Sequence, residues 1–328
     1  MGCAVNKSDI VKKLLGDISC YTPSNKAVTA YAPTNIALVK YWGKRNQELN
    51  LPVTSSLSIS LAEKGAKTTL SISLIKQDVF ILNGKAVPTT SSFHQRLSRY
   101  LDLFRFDHLY FEANIISTVP IAVGLASSAC GFAAMVLALD KFFSWQLSSQ
   151  QLSMLARLGS GSACRSIWPG FVEWHAGERE DGMDSYAEPL SVQWPELGIG
   201  LMMVSDKEKS IGSREAMQRT VETSELYQSW PHKVEHDLIK LKKAIQEKDF
   251  DLLGKTAESN ALAMHATMLS AWPPVSYYLP ETINAMHRVW QARADGVPVY
   301  FTQDAGPNLK LLYLHHDREK VERWFSFK

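Results

Sequence analysis

The sequence predicts an α+β chain built as two domains, and three observations carry that reading. Strand-like alternation of apolar and small polar residues fills the early part of the chain, whereas helical spacing fills 211–294. Grouped strands followed by grouped helices fit an α+β fold better than a doubly wound parallel sheet. At 328 residues the chain is long enough for about two domains of ~150 residues. Composition then marks a border: Gly177–Asp184 is charged and glycine-containing, and Pro189–Leu197 holds two prolines and a tryptophan. The division is placed there, giving domains 1–187 and 188–328.

In chain order, Ser8 is positioned to cap a short helix to Leu15, with Ile10, Val11, Leu14 and Leu15 as its apolar side. Residues 27–32 read as a strand, and 33–56 as a long irregular piece rich in turn formers. Leu57–Leu61 and Thr68–Leu74 have strand spacing. Val79–Val87 contains Asn83-Gly84, a strong hairpin signal. A helix is expected over 92–105 and a strand over 108–117. A glycine-serine loop leads into an apolar helix, Cys130–Phe143, followed by a second helix, Ser149–Leu158, and a strand, Phe171–Trp174. The second half opens with a strand at Ile199–Ser205. It continues through helices near 211–227, 231–247, 249–270 and 280–294, strands at 297–303 and 309–315, and a charged terminal helix.

Composition excludes several classes. Apolar residues make up 45% and charged residues 21%, which is ordinary for a globular chain and wrong for a disordered one. A net charge of +2, from 35 cations and 33 anions, argues against a nucleic-acid surface. Cys3, Cys20, Cys130 and Cys164 form no C-x-x-C pair, which points to free thiols in a reducing, cytoplasmic setting. No secretory signal is visible, and Asn6 spoils a myristoylation pattern at Gly2. Asn114–Leu139 lacks charge and is long enough to span a bilayer, but its first half is too polar and too broken for a lipid-facing helix.

Four segments carry possible chemistry. In 120–129, PIAVGLASSA, small residues precede a helix, so Gly124, Leu125, Ala126, Ser127 and Ser128 suit a phosphate facing free N–H groups. It is neither a Walker A nor a G-x-G-x-x-G sequence, and on these residues alone a tight turn into a core helix has the edge. Lys40-Tyr41-Trp42-Gly43-Lys44-Arg45 sets three cations around two aromatics, which reads as a wet loop or a pocket for phosphate or carboxylate. Gly159–Ser166 offers an anion nest, with Arg165 able to grip a carboxylate bidentately. Asp304, ahead of Gly306-Pro307, is a turn residue or a carboxylate held at a strand end as a base. His232 to His236 fits H-x-x-E-H, but both histidines lie off the apolar face of their helix, so zinc is set aside.

Taken together, these segments resemble the diphosphomevalonate decarboxylases of the GHMP kinase superfamily. The matching stretches are APTNIALVKYWGKRNQELNLPVTSSLSISL (32–61), VPIAVGLASSACGFAA (119–134), RLGSGSACRSIWPGFVEW (157–174), SREAMQRTVETSEL (213–226) and DAGPN (304–308). The likeness runs from about residue 27 to near the end. It implies an N-terminal domain like ribosomal protein S5 domain 2, a ferredoxin-like C-terminal domain and a cleft between them. It implies a reaction as well: ATP phosphorylates the tertiary C3 hydroxyl of mevalonate 5-diphosphate, phosphate leaves, and carbon dioxide is lost to give isopentenyl diphosphate. The implied cofactors are ATP and Mg2+, and the implied assembly is a homodimer.

By the same resemblance Asp304, Arg165, Lys40 and Ser128 are the catalytic residues. Asn35, Ala37, Tyr41, Lys44, Ser160, Ser162, Ser213, Arg214 and Met217 are implied to line the substrate pocket with Arg165, and Gly124–Ser128 to hold the ATP phosphates. Gln303, Cys130 and the lead 1–26 depart from the family pattern without removing a catalytic position. A superfamily kinase that stops after phosphoryl transfer, and a binding protein without catalysis, are the competing readings. The joint presence of Lys40, Arg165 and Asp304 favours the decarboxylase.

Overall fold

The computed structural model describes residues 5–118, 127–207 and 209–327, with only the backbone at Ser127. Helix α1 (Lys7–Leu15) buries Ile10, Val11 and Leu15. Its cap is Asn6 rather than Ser8. The Asn6 side chain accepts from Asp9 N–H and Asp9 answers to Asn6 N–H, a reciprocal box that satisfies two otherwise orphaned donors.

Strand β1 (Val28–Val39) is longer than the sequence implies. It runs through Pro33 because register shifts at Pro33/Thr34 and Ala37/Val39 take up the proline and the irregular spacing. The short β2 (Lys44–Asn46) and β3 (Leu51–Pro52) form a separate ribbon. The two strands expected over 57–61 and 68–74 are one, β4 (Ser56–Ile72); residues 62–64 have no partner opposite the Pro33 irregularity. β5 (Val79–Leu82) and β6 (Lys85–Ala86) make the expected hairpin. Asn83 and Gly84 both have positive φ, 49° and 76°, as its two-residue turn requires.

Helix α2 (Ser92–Leu101), strand β7 (Phe111–Ser117), helices α3 (Ser127–Phe143) and α4 (Ser149–Gly159), and strands β8 (Phe171–Trp174) and β9 (Ala187–Pro189) complete the first half. Its sheet has the order β6-β5-β7-β4-β8-β9, with β1 also paired to β4. Only β5 and β7 run parallel among these pairs. Helix α3 packs on β1 and β4, and α4 packs on α3.

The second half contains β10 (Leu197–Met202), α5 (Ser213–Thr223), α6 (Trp230–Glu247), α7 (Phe250–Leu269), α8 (Pro280–Ala294), β11 (Tyr300–Gln303), β12 (Leu309–Leu314) and α9 (Arg318–Glu322). The three strands form an antiparallel sheet in the order β10-β12-β11. His232 and His236 lie on the exposed side of α6 with ring centroids 4.5 Å apart, away from buried Val234, Leu238 and Leu241. Among the described residues no helix is long and apolar enough to cross a membrane.

One buried cluster runs through both halves, from Ile10 to Leu312. Polar ties reinforce it. The Trp42 carbonyl accepts from Tyr227 Oη and from Trp230 Nε1, both at 3.0 Å. Asn260 of α7 accepts the Lys40 N–H at 2.8 Å and donates to Asp237 at 2.8 Å. These bonds fix the chain just beyond β1, where the Lys40–Arg45 segment begins.

Candidate active site

Where β1 and α3 of the first half face α5, α7 and the 304–308 turn of the second, the chain leaves a cavity of about 490 Å3. Asn35, Ala37, Lys40, Tyr41, Lys44, Ser128, Ser160, Ser162, Arg165, Ser213, Arg214, Met217 and Asp304 all line it, so five distant segments meet in one place. Gly124, Leu125 and Ala126 lie outside the described residues, as does the Ser127 side chain.

The centre is a three-residue ion cluster. Lys40 Nζ lies 2.7 Å from Asp304 Oδ1, and Lys310 Nζ lies 3.1 Å from Oδ2. The side chains of Lys40 and Lys310 are 2% and 0% exposed, but Asp304 keeps 23%, so the carboxylate is the most accessible member of the cluster. Burial alone would raise the Asp304 carboxyl; the Lys310 and Lys40 ammoniums outweigh it and hold it well below the usual carboxylate range. Burial lowers Lys40 to about 8 against the pull of Asp304. Lys40 Nζ also donates to the Ala37 carbonyl at 2.6 Å, which fixes its direction.

Arg165 sits in a 3-10 turn, Gly161–Ile167, directly after α4. Its Nε and Nη2 donate to Asn35 Oδ1 at 3.3 and 3.2 Å, its Nη1 donates to Ser56 Oγ at 2.6 Å, and its guanidinium lies 5.9 Å from the Trp174 ring centre. Asn35 is itself held through Nδ2, which donates to Ser166 Oγ at 2.7 Å and to the Ser162 carbonyl at 3.2 Å. The orientation of Arg165 is therefore set by neutral partners, and among the described residues no hydrogen-bonded anion compensates its charge. Ser128 Oγ is 3.4 Å from Ser160 Oγ, joining the start of α3 to the end of α4.

Of the three cations in Lys40–Arg45, two line the cavity. Arg45 turns away, donating to the carbonyls of Ala176, Gly177 and Arg179. Burial lowers Lys44 to about 8, helped by the charges of Arg214 and Lys7. Sequence reasoning missed Lys209, whose Nζ donates to Ser213 Oγ at 2.7 Å and to the Ala305 carbonyl at 3.2 Å. It sits in the charged run Asp206–Lys209, which reads as a solvated loop. Arg96, on α2, and Asn50 also line the cavity without having been singled out. Lys310 is the single charged residue in the apolar run of β12, and nothing in its local pattern says that its charge points inward.

Six cations among the described lining residues (Lys40, Lys44, Arg96, Arg165, Lys209 and Arg214) stand against one carboxylate, Asp304. That imbalance calls for a ligand with several negative charges. At one end Leu82, Phe93, Leu97, Ile115 and Phe132 form an apolar wall. Among the described residues no three His, Cys, Asp or Glu side chains gather for a metal ion. The one lining carboxylate is already paired twice. A hard cation entering here must bring most of its oxygen ligands with it, as the phosphates of a nucleotide do, and Ser128 and Ser160 are among the described hydroxyl residues that line the cavity.

A cleft across two α+β halves, rich in cations and with one ionised carboxylate, defines an enzyme that acts on phosphorylated anions. The profile for the diphosphomevalonate decarboxylase-like N-terminal domain matches residues 32–187, and that for the mevalonate 5-diphosphate decarboxylase C-terminal domain matches 199–326. The diphosphomevalonate decarboxylase of Aspergillus fumigatus is 39% identical over 317 residues, covering 89% of this chain and 78% of that protein. That of Saccharomyces cerevisiae is 37% identical, covering 88% and 78%. The Staphylococcus aureus mevalonate diphosphate decarboxylase crystal structure superimposes with a TM-score of 0.85 at 39% identity, covering 92% of this chain and 93% of that one. A structure described as MDDEF in complex with MVAPP, AMPPCP and magnesium gives 0.83 at 41%, covering 92% and 94%. The chain belongs to the diphosphomevalonate decarboxylase family.

Proposed function

We propose that the chain carries out the ATP-dependent decarboxylation of mevalonate 5-diphosphate to isopentenyl diphosphate. The observation that carries this reading is the meeting of Asp304, Lys40, Arg165 and a surplus of cations in one cavity. A tertiary hydroxyl is a poor nucleophile, so a carboxylate must direct and take its proton. Paired with two ammoniums, Asp304 is ionised at any working pH but is a weak base. It therefore orients the C3 hydroxyl first and receives the proton late, as phosphoryl transfer draws electron density from that oxygen. Lys209 and the hydroxyls of Ser128 and Ser213, which line the same cavity, suit the charge on the moving phosphoryl group.

Departure of the 3-phosphate leaves positive charge growing at C3. The C1–C2 bond pair then forms the C2=C3 double bond and C1 leaves as carbon dioxide. Throughout, the substrate carboxylate must be held without being protonated, a task suited to Arg165, which stays cationic at working pH and is pre-oriented by Asn35 and Ser56. Lys44, Arg214 and Tyr41 face the same space and suit the diphosphate end. The apolar wall around Phe93 and Phe132 suits the purine of ATP. Mg2+, when bound with the nucleotide, supplies charge neutralisation between its phosphates. We propose the two domains 1–187 and 188–328 with the border read as lying just past β9 (Ala187–Pro189), which still pairs with β8, and before Leu197, where β10 opens the second sheet. A homodimer and a cytoplasmic setting belong to the proposal through the resemblance alone; light scattering tests the first.

The test is one incubation with ATP, Mg2+ and mevalonate 5-diphosphate, quantifying ADP, inorganic phosphate, carbon dioxide and isopentenyl diphosphate together. Equal amounts of all four are expected. ADP without carbon dioxide would make the chain a kinase of the same fold, and no turnover would overturn the catalytic reading. The variant Asp304→Asn should lose at least about a hundredfold in turnover. It should also unfold more easily, by about 3 kcal/mol or more, because it strips two buried cations of their partner. Its activity must therefore be read at a temperature where it is folded.

A further inference from the structure

We propose that Asn50 is a positioning residue that tethers the Lys44 ammonium to the end of α4 and so sets the affinity of the cavity for a diphosphate group. The inference deepens the reading just given and rests on it for the identity of the substrate. Asn50 lies in the loop between β2 and β3, with φ of 53°, a left-handed conformation in which Asn is among the better tolerated residues. It is only 2% exposed although it borders the cavity.

All the side-chain bonds of Asn50 have one purpose each. Nδ2 donates to the Arg157 carbonyl at 2.9 Å and to the Leu158 carbonyl at 3.2 Å. These belong to the last turn of α4, where carbonyls lack partners within the helix. Oδ1 accepts from Lys44 Nζ at 2.7 Å. The amide cannot be turned round: a flip would set Oδ1 against two carbonyls and an NH2 group against an ammonium. One bond from Oδ1 leaves the ammonium two further N–H groups for a ligand. α4 runs directly into Ser160, Gly161 and Ser162, which also line the cavity. Asn50 thus locks the Lys44 charge in register with the serine turn that follows α4, and it does so with a neutral acceptor, leaving the charge unspent.

Two variants separate this role from simple helix capping. Asn50→Gly keeps the backbone conformation and removes the tether. Asn50→Asp keeps the shape, neutralises Lys44 and turns an anion toward two carbonyls. Steady-state kinetics with Mg2+, ATP and mevalonate 5-diphosphate should show KM for mevalonate 5-diphosphate raised about tenfold or more in both, and further in Asn50→Asp. The kcat and the KM for ATP should stay within about threefold of wild type, since neither depends on Lys44 placement. A lowered melting temperature with unchanged KM in the glycine variant would reduce Asn50 to a cap for α4 and overturn the proposal.

Calorimetric titration with inorganic diphosphate needs no turnover and decides the matter if the wild-type chain proves inactive on mevalonate 5-diphosphate. Binding weakened about tenfold in either variant supports the tether. Equal binding, or no binding to the wild type, overturns it.

Discussion

At Lys44 a single ammonium is asked to stay charged in a half-buried place beside Arg214 and Lys7, and burial with those neighbours lowers it to about 8. Lys40 is lowered to about 8 as well. The sign of the pH effect follows. The protonated form attracts the diphosphate, so kcat/KM should fall as pH rises through about 8, and more steeply than loss of one proton allows. Lys44→Arg stays charged throughout and should remove one of the two steps while leaving the other. A pH profile of kcat/KM for both proteins checks this, and identical alkaline limbs would rule Lys44 out. Asp304 shows why such residues are only partly legible in sequence. Its position before Gly306-Pro307 fits an ordinary turn as well as a base held at a strand end, and the resemblance tips the choice. Its partner Lys310 was invisible, because one lysine in a strand that is apolar on both faces gives no sign of what it pairs with.

At the scale of elements, Gly43 decides how the Lys40–Arg45 segment meets the 3-10 turn Glu225–Ser229 that leads into α6. Its φ is 108°, a value side chains rarely adopt, and a Cβ there would lie 1.7 Å from Tyr227 Oη. That hydroxyl is one of the two donors to the Trp42 carbonyl. Gly43→Ala should therefore cost about 2–4 kcal/mol through strain and overpacking together. It should also raise KM for the diphosphate substrate by displacing Lys44. Thermal unfolding and kinetics check the pair of effects; a wild-type melting temperature would show that the segment yields freely. The helices and the Asn83-Gly84 hairpin were legible because their signals are local: caps, apolar stripes and turn residues. The course of β1 and β4 was not. Pro33 and the small polar residues around it look like loop, and only the paired irregularity across the two strands keeps them in the sheet. Pairing over such a distance leaves no mark in a short window of sequence.

For the whole molecule the question is whether two sheets mean two folding units. Chains of this length with two domains commonly unfold in stages. Here the buried cluster is continuous across the halves. Lys242 of α6 also pairs with Glu173 of β8 at 3.0 Å, and Asn260 of α7 holds the Lys40 backbone. The cavity itself takes Arg165 from one half and Asp304 from the other, joined through Lys40. A first half standing alone would leave Lys40 buried without its carboxylate, and a second half alone would leave Asp304 facing only Lys310. Separating the halves breaks the Lys40–Asp304 pair, and a charge left buried without its partner costs several kcal/mol. The chain should therefore unfold in one transition, with far-UV circular dichroism and tryptophan fluorescence coincident. Mevalonate 5-diphosphate at a hundred times its dissociation constant should shift that whole transition by about 2.7 kcal/mol, because the ligand is bound by both halves at once. Two transitions, with only one moved by ligand, would show instead that the halves fold separately and that the cavity is assembled after folding.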